Sequence, residues 1–233
     1  MIKIENLKKI YQSGEVEVAA IRQLDFTIAE NEFVAIMGPS GSGKSTLMNI
    51  LGCLDQPSSG NYYLDNNLVS SMSDDELAKV RNRDIGFVFQ TFHLQPRLDA
   101  IRNVMLPLRY SDVDKEAAKA RSIAMLQRVG LGERMEHRPS ELSGGQRQRI
   151  AIARALVNEP KIIFADEPTG NLDSKTSIEI MDLFTELHNK GQTIVLVTHE
   201  REIADYADKI IHMRDGLIEE VEYVQKIHCT RAS

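Results

Sequence analysis

A glycine-rich segment, GPSGSGKS at Gly38–Ser45, constrains the fold of this 233-residue chain more than any other feature. It follows a short apolar run, Phe33–Met37, and precedes apolar residues at helical spacing. The spacing matches G-x-x-x-x-G-K-[ST], in which glycines let successive backbone N–H groups turn inward around phosphate. A helix that begins near Lys44 adds its positive end. We therefore predict a phosphate-binding loop, with Lys44 reaching the β- and γ-phosphates and the Ser45 hydroxyl ligating Mg²⁺. The alternative, an ordinary Gly/Ser-rich turn, does not account for the flanking strand and helix patterns.

Four short apolar runs are typical of strands that are buried on both faces. They are Phe33–Met37, Ile85–Phe89, Ile162–Ala165 and Thr193–Val197. Three helical patterns each end at a helix-stopping residue. They are Lys115–Val129 before Gly130, Gln146–Val157 before Pro160, and Ser174–Lys190 before Gly191. This alternation predicts an α/β fold with a central parallel sheet.

Two further patterns indicate antiparallel β structure. Leu24, Phe26 and Ile28 alternate with polar residues, which is the pattern of a half-buried strand in an antiparallel edge layer. Near the other end, Ile210–Met213 and Leu217–Val221 flank an Asp-Gly dipeptide and predict a hairpin.

The predicted domain organisation is one domain over residues 1–233. Residues 1–90 and 159–225 would form the α/β core with its β layer, because the stretch 91–158 holds helical pattern and little strand signal. That stretch is predicted to be an inserted helical subdomain, and residues 226–233 to be a tail.

Charge, cysteines and hydropathy limit the classes of function. The 28 basic and 34 acidic residues give a net charge of −6, which argues against binding nucleic acid by bulk electrostatics. Cys53 and Cys229 cannot build a disulfide framework or a zinc site by themselves, which favours a reducing compartment. The apolar runs are far shorter than the ~18 residues that cross a bilayer, and the start lacks the apolar core of a secretory signal. A cytoplasmic protein without a membrane span is expected.

Two carboxylates, Asp166 and Glu167, come directly after the predicted strand Ile162–Ala165. Ligands of open α/β sheets bind at such carboxyl ends. Asp166 fits the carboxylate that holds hydrated Mg²⁺, and Glu167 fits the one that polarises the attacking water. The alternative is a pair of solvated acids that cap the turn before Pro168.

His199 and Gln90 also follow predicted strands. A single histidine is usually structural, but the convergence of three strand ends favours a polar role for His199 beside the γ-phosphate. The amide oxygen of Gln90 could ligate Mg²⁺ or water, although by itself Gln90 would be an ordinary edge residue.

The segment LSGGQ, Leu142–Gln146, opens a predicted helix. Ser143 can cap this helix, and two glycines allow close approach, so its amino end offers a second anion site. An ordinary helix cap is the alternative. Two phosphate-facing elements about a hundred residues apart could serve one nucleotide only if two chains meet head to tail.

Taken together, these motifs resemble those of ABC-transporter nucleotide-binding subunits, and the resemblance covers nearly the whole chain. The motifs are Gly38–Ser45, Gln90, Leu142–Gln146, IIFADE at Ile162–Glu167, GNLD at Gly170–Asp173, and His199. The resemblance implies an α/β P-loop NTPase of ABC type, with a RecA-like core, an antiparallel β subdomain and an inserted helical subdomain. It also implies ATP hydrolysis to ADP and phosphate, with ATP and Mg²⁺ bound.

In that family two subunits enclose two ATP molecules, each between the phosphate loop of one and the LSGGQ of the other. The implied catalytic residues are Glu167, His199, Gln90 and Lys44. The implied metal ligands are Ser45, Gln90 and Asp166. The implied nucleotide contacts are Tyr11, Gly38, Pro39, Ser40, Gly41, Ser42, Gly43, Lys44, Ser45, Thr46, Gln90, Ser143, Gly144, Gly145, Gln146 and Asp173. Of these, Tyr11 would stack on adenine and Asp173 would lie at the dimer interface. For Tyr11, simple packing is the alternative.

Within the family, ADEPTGNLD, GFVFQTFHLQP and YQSGEVEVAAI are similar to the macrolide-exporter and lipoprotein-release branch. This implies a second copy of the chain and transmembrane permease subunits as partners, with a periplasmic adaptor in the efflux members, at the cytoplasmic face of the inner (plasma) membrane. In that branch, position 95 is commonly apolar and position 99 is commonly Thr or Ser, whereas this chain has Gln95 and Asp99. Both positions are expected to lie near the groove for the partner's coupling helix.

Three arginines on one predicted helix, Arg147, Arg149 and Arg154, form a basic cluster. A solvated face is the favoured interpretation, over contact with lipid headgroups or nucleic acid.

Two other functions compete with the transporter ATPase. A soluble ABC-type ATPase of translation or DNA maintenance usually carries two cassettes or a long coiled coil, and this chain shows neither. A cassette that binds ATP without hydrolysis would have no need of Glu167 and His199, which are both present.

Overall fold

The computed structural model describes residues 1–14 and 16–224, which fold into two β-sheets with helices around them. The strands are β1 (Ile2–Ser13), β2 (Val16–Ile28), β3 (Phe33–Met37), β4 (Ser59–Leu64), β5 (Asn67–Leu68), β6 (Ile85–Phe89), β7 (Ile162–Asp166), β8 (Thr193–Val197), β9 (Lys209–Arg214) and β10 (Leu217–Tyr223). The α-helices are α1 (Lys44–Leu51), α2 (Asp74–Asp84), α3 (Ala100–Val104), α4 (Lys115–Arg128), α5 (Gly144–Leu156), α6 (Ser174–Asn189) and α7 (Arg201–Ala204). Short 3-10 turns lie at Val69–Ser71, Pro107–Tyr110, Gly132–Arg134 and Pro139–Glu141.

The larger sheet has the strand order β10-β9-β3-β8-β7-β6. The strands β9, β3, β8, β7 and β6 run parallel, and β10 pairs antiparallel with β9. All four apolar runs are strands of this sheet, so the prediction of a parallel sheet is confirmed. The first strand of the predicted hairpin, β9, also pairs parallel with β3, a contact that the hairpin signal did not indicate.

The smaller sheet is antiparallel, with the order β2-β1-β4-β5. The predicted strand around Leu24–Ile28 belongs to β2, which is longer than the alternating pattern because it pairs with β1 from Val16 to Ile28, with register shifts along the way. The predicted antiparallel layer is therefore confirmed.

Both faces of the larger sheet are covered. Phe33 and Ala35 belong to a core shared with α3 to α6, whereas Val34 and Ile36 belong to a second core shared with α1 and the smaller sheet. Successive side chains of a strand point to opposite faces, so an uninterrupted apolar run supplies both cores.

The helices between residues 91 and 158 are α3, α4 and α5, and the described residues of this stretch contain no strand. Helix α5 begins at Gly144, two residues before the predicted start, because Ser143 is already its N-cap. Gly130 and Gly191 follow α4 and α6 with φ of +75° and +98°, as the helix-stopping signals predicted. The division into core and inserted subdomain stays a prediction, and the predicted tail 226–233 lies outside the described residues.

The hairpin β9–β10 turns at Asp215 and Gly216, both with positive φ (49° and 76°), as in a type I′ turn. Across the described part of the chain, none of the helices has the length and apolar character that a bilayer crossing requires.

Candidate nucleotide site

The phosphate loop after β3 has a backbone that requires glycine at two positions of close contact. Gly38 and Gly43 have φ of +153° and +98°. A Cβ atom would lie 2.1 Å from the Met213 carbonyl oxygen at Gly38 and 2.5 Å from the Ala20 carbonyl oxygen at Gly43. The sequence therefore uses glycine here to fit the loop between two other backbone segments.

The hairpin turn braces this loop from one side. Gly216 N–H donates to the Ser42 carbonyl at 3.1 Å, and Arg22 N–H donates to the Gly216 carbonyl at 2.9 Å. The Ser42 hydroxyl is buried, and no described residue forms a hydrogen bond with it. The loop is thus held by backbone contacts from β2 and from the β9–β10 turn.

The side chain of Lys44 folds back into the phosphate loop. Its Nζ donates to the carbonyls of Gly38 at 2.7 Å and Pro39 at 2.9 Å. Burial lowers the pKa of Lys44, while the charges of Glu167 and Asp166 act in the opposite direction. A phosphate that entered the loop would compensate this partly buried ammonium group.

The register of the sheet brings the predicted site residues to one edge. Ile36, Val197, Asp166 and Phe89 are neighbours across β3, β8, β7 and β6. Each is followed within two residues by a predicted site segment, so the phosphate loop, His199, Glu167 and Gln90 follow adjacent strand ends. The sheet therefore brings four segments to one edge, at the three strand ends that were expected to converge and at the strand before Gln90.

Asp166 and Glu167 have different environments at this edge. Burial raises the pKa of Asp166, the Glu167 charge raises it further, and Lys44 lowers it. Glu167 has a φ of 43°, a left-handed conformation that is uncommon for a non-glycine residue. His199 Nδ1 lies 2.8 Å from Glu167 Oε1, so the imidazole orients this carboxylate.

Oxygen donors predominate among the predicted metal ligands, which are the carboxylate of Asp166, the hydroxyl of Ser45 and the amide of Gln90. Within residues 1–14 and 16–224, no group of three or more His, Cys, Asp or Glu side chains could hold a metal ion. Mg²⁺ does not need such a group, because it is usually held by one or two carboxylates together with waters and substrate phosphates. This donor set fits Mg²⁺.

Gln90 lies directly against the segment that follows Glu167. A Cβ atom on Gly170 would come within 2.6 Å of Gln90 Nε2, and Asn171 Nδ2 donates to the Gln90 carbonyl at 3.0 Å. Gly170 thus allows the Gln90 side chain to pack close to the loop that carries Glu167.

Tyr11 lies on β1 and is 40% exposed. Its hydroxyl donates to Asp55 Oδ2 at 2.8 Å, and Lys9 Nζ lies 4.8 Å from the ring centroid. Burial and the Asp55 hydrogen bond raise the pKa of Tyr11, while a hydrogen bond with Thr46 lowers it. Tyr11 therefore lies beside the start of α1, with part of its ring open to solvent.

The LSGGQ segment forms a reciprocal helix cap. Gln146 N–H donates to Ser143 Oγ at 3.3 Å, and Ser143 N–H donates to Gln146 Oε1 at 3.0 Å. A Cβ atom on Gly145 would lie 2.4 Å from Thr176 Cγ2, which places this end of α5 against the start of α6. In the described structure, hydrogen bonds do not join LSGGQ to the phosphate loop of the same chain.

Asp173 caps α6 by accepting from Thr176 N–H at 3.0 Å and from the Thr176 hydroxyl at 2.7 Å. The hydroxyl bond holds the pKa of Asp173 below its usual value. Since Thr176 also contacts Gly145, the amino ends of α5 and α6 are adjacent.

The three arginines of α5 do not form the solvated face that the sequence suggested. Arg154 donates to the carbonyls of Phe92 at 2.8 Å and His93 at 2.6 Å, and burial lowers its pKa. Arg147 lies 5.1 Å from the Phe92 ring, and Arg149 pairs with Glu179 at 3.3 Å. The interpretation was wrong for Arg147 and Arg154 because the loop after β6 folds over them, whereas Arg149 also donates to the Val129 carbonyl at 3.3 Å.

Gln148 is a buried residue that the sequence analysis missed. Its Nε2 donates to the carbonyl of Pro168 at 2.7 Å and lies 3.5 Å from that of Phe89. These two residues are next to Glu167 and Gln90, so Gln148 joins α5 to both loops. The sequence signal that could have revealed Gln148 is its position on the inward face of α5, together with the buried Gly145 and Ile152.

Gln95 and Asp99, the two departures from the family pattern, both make local contacts. Asp99 caps α3 by accepting from Arg102 N–H at 2.8 Å, which a serine or threonine would also do. Gln95 uses its backbone, because its N–H donates to Asn103 Oδ1 at 2.7 Å and its carbonyl accepts from Asn103 Nδ2 at 3.2 Å. The fully buried Asn103, also missed in the sequence, organises this loop.

A phosphate loop after β3, a pair of carboxylates at the end of β7 and an orienting histidine after β8, the strand between them, define a P-loop ATPase domain. A family model described as ABC transporter matches residues 21–170. The chain belongs to the ABC transporter family, as an ATP-binding subunit with ATPase activity.

Similar proteins agree with this assignment. The ABC transporter ATP-binding protein YknY of Bacillus subtilis (strain 168) is 58% identical over 218 residues, 94% of this chain and 95% of that protein. An ABC transporter ATP-binding protein of Thermotoga maritima is 53% identical over 222 residues, 95% of each. The macrolide export ATP-binding/permease protein MacB of Chlorobaculum tepidum is 55% identical over 222 residues, but these cover 94% of this chain and 33% of MacB. The chain therefore spans about a third of that relative.

The solved structures confirm the fold class. The dimeric post-hydrolysis structure of the ATP-binding cassette MJ0796, bound to ADP and Pi, superposes with a TM-score of 0.88 at 46% identity. The superposition covers 97% of this chain and 99% of that one. The two-sheet architecture is thus that of an ABC cassette.

Proposed function

We propose that this chain hydrolyses ATP to drive a separate membrane permease of the export or mechanotransmission type, including macrolide efflux and lipoprotein release. Hydrolysis is supported most directly by the row of strand ends that brings the phosphate loop, His199, Glu167 and Gln90 to one edge, and the export type by the similarity to MacB. Nothing in the described structure favours the soluble ATPase of translation or DNA maintenance.

The chain's own residues divide the chemistry of hydrolysis. Lys44 and the backbone N–H groups of Gly38–Ser45, with Thr46 behind them, hold the phosphates. Glu167 accepts a proton as the water oxygen bonds to the γ-phosphorus, and the bond to the β–γ bridging oxygen breaks to leave ADP and phosphate. His199 holds Glu167 through the 2.8 Å contact, and Gln90 positions the water from the neighbouring strand.

Ser45, Gln90 and Asp166 are the proposed ligands of Mg²⁺. When bound, Mg²⁺ neutralises charge on the β- and γ-phosphates. The raised pKa of Asp166 is consistent with this role, because a buried carboxylate beside Glu167 lacks enough positive charge around it.

Two copies are proposed to complete each other's sites. Ser143, Gly144, Gly145 and Gln146 cap α5 without a hydrogen bond to their own phosphate loop, and Ser143 is exposed. A head-to-tail dimer would present this helix end to the ATP of the second copy, with Asp173 at the interface. The dimeric structures of MJ0796 support such an arrangement. Tyr11, partly open beside α1, is proposed to stack on adenine.

The permease is proposed to be a separate chain. MacB carries an ATP-binding part and a permease in one protein, and this chain matches a third of it. YknY, which is named as an ATP-binding protein, matches along nearly its whole length. We place the subunit at the cytoplasmic side of the inner (plasma) membrane, with a periplasmic adaptor as a further partner in the efflux case and without a nucleic-acid partner.

Replacement of Glu167 by Gln tests the catalytic assignment. The amide keeps the size of the side chain but cannot accept the proton, so ATP turnover should fall at least about 100-fold. ATP should still bind, and the ATP-bound dimer should accumulate in size-exclusion chromatography. Glu202→Gln, the same change at an exposed residue of α7, is the matched control. Turnover of Glu167→Gln within twofold of the unchanged protein would refute this role for Glu167.

A further inference from the structure

The loop between α1 and β4, residues 52–58, is bonded to the strand that carries Tyr11. Ser58 N–H donates to the Lys8 carbonyl at 2.8 Å, and the Ser58 hydroxyl accepts from Ile10 N–H at 3.0 Å. The end of the helix that follows the phosphate loop is thereby joined to the strand on which the base is proposed to stack.

Asp55 is the polar centre of this contact. Its carboxylate accepts from the Tyr11 hydroxyl at 2.8 Å, from Lys9 Nζ at 2.6 Å and from Gln56 N–H at 2.7 Å. Burial alone would raise the pKa of Asp55, but these three hydrogen bonds hold the pKa below its usual value. The cluster therefore stabilises the charged carboxylate, and the bond from the tyrosine hydroxyl is charge-assisted.

Lys9 is held beside the same tyrosine ring. Its side chain is only 12% exposed, and Nζ donates to the Gln56 carbonyl at 2.7 Å as well as to Asp55. The ammonium group lies over the Tyr11 ring, 4.8 Å from the centroid, which is a cation–π distance. Lys9 thus covers one face of the ring and leaves the opposite face for a base.

These contacts fix Tyr11 without a nucleotide. Its hydroxyl also forms a hydrogen bond with Thr46 in the first turn of α1, so the polar end of the ring is tied to residues on both sides of that helix. A side chain that becomes ordered only on binding costs affinity, and a side chain that is ordered in advance avoids this cost. The bonds to Asp55 and Thr46 therefore prepare the ring for a ligand.

We propose that Asp55 is a positioning residue for the adenine base, because it holds the Tyr11 ring in its stacking orientation while Lys9 covers the other face. The inference rests on the stacking proposed for Tyr11 and adds the residues that set the affinity for the base. Asp55 then contributes to binding of the base and not to binding of the phosphates, which the loop Gly38–Ser45 holds.

Isothermal titration calorimetry of the full chain separates these contributions, with Mg²⁺–ATP and with inorganic triphosphate plus Mg²⁺, which has no base. Asp55→Ala should weaken ATP binding about three- to tenfold, as expected when one more side chain must be ordered on binding. Binding of triphosphate should stay within twofold of the unchanged protein. Asp75→Ala removes one exposed carboxylate on α2, and as the matched control it should change neither affinity.

Tyr11→Phe examines the same bond from its other partner, because it keeps the ring and removes the hydroxyl. It should weaken ATP binding about as much as Asp55→Ala does. The double variant should lose no more than the larger single loss, since both changes remove one shared hydrogen bond. Asp55→Asn keeps an acceptor for Tyr11 without the charge, and should recover part of the affinity.

Three results would overturn the positioning role: unchanged ATP affinity of Asp55→Ala, additive losses in the double variant, or equal weakening of ATP and triphosphate, which a purely structural role would produce. Tyr11→Ala distinguishes these from failure of the proposed function. Unchanged ATP affinity of Tyr11→Ala would refute the stacking itself. A loss in Tyr11→Ala with none in Tyr11→Phe or Asp55→Ala would refute only the positioning by Asp55.

Discussion

The phosphate-loop edge of the larger sheet and the helices of residues 91–158 hold their functional residues in different ways. At the sheet edge, the register of β3, β8, β7 and β6 fixes the positions, and the backbone is left-handed at Gly38, Gly43 and Glu167. In the helical stretch, each helix is capped locally, and a few buried polar side chains tie the loops together. The comparison shows that backbone conformation positions the predicted catalytic residues at the sheet edge, whereas side-chain hydrogen bonds hold the loops of the helical stretch.

The largest expected effect follows from breaking the fixed backbone. Gly43→Ala would place a Cβ 2.5 Å from the Ala20 carbonyl oxygen, so the loop or β2 must move. We expect ATP affinity to fall by at least about 100-fold, because the Cβ atom strains the left-handed conformation and also separates the loop from β2. Equilibrium binding of a fluorescent ATP analogue measures the change.

Gly41→Ala is the matched control for this prediction. Gly41 is also left-handed, with φ of +79°, but a Cβ atom at this position would meet no heavy atom within 4 Å. Only the conformational cost of about 1–2 kcal/mol remains, which corresponds to a loss of roughly 5- to 30-fold. Equal losses in the two variants would show that contact with β2 is unimportant for the loop.

The same contrast explains what the sequence could predict. Motifs at the sheet edge are contiguous and follow apolar runs, so Gly38–Ser45, Asp166 and Glu167 could be placed on their elements from the sequence. The contacts of Arg154 and Gln148 join residues far apart in the chain, and Asn103 binds the loop before its own helix, and in none of the three cases do the neighbouring residues in the sequence indicate the partner. The arginines of α5 were misjudged for this reason, since charge alone favours an exposed face.

A smaller effect is expected from loosening the helical side. Arg154→Gln removes the guanidinium that binds the carbonyls of Phe92 and His93, in a loop where both residues have positive φ. The two hydrogen bonds come from a charged donor, one of them partly buried and the other exposed, so the free energy of unfolding should fall by about 1–3 kcal/mol. Because the loop follows Gln90, kcat should fall severalfold while KM for ATP stays within twofold.

Arg149→Gln is the control on the same helix, because Arg149 makes only longer contacts, with the exposed Glu179 and with the Val129 carbonyl, both at 3.3 Å. Its effect on unfolding should be below about 1 kcal/mol, with kcat unchanged. Arg154→Lys keeps the charge but not the two-pronged geometry, and should recover kcat only in part. Full activity of Arg154→Gln would contradict a role for this contact in positioning the loop after Gln90.

The smallest effect returns to the sheet edge and has the opposite sign. Burial and the Glu167 charge raise the pKa of Asp166, so the folded protein holds this proton more tightly than the unfolded chain does. The charged form therefore costs stability at neutral pH, and this cost disappears as the pH falls below the unfolded value near 3.9. Asp166→Asn should raise the free energy of unfolding by roughly 0.5–1 kcal/mol at pH 7, as is common when a functional strain is removed.

Urea unfolding without nucleotide should show a gain in the free energy of unfolding that shrinks toward pH 4, while Asp182→Asn on the exposed face of α6 shows none. A loss of stability at pH 7 would mean that the attraction of Lys44 outweighs burial, and that the site is not strained without its ligand.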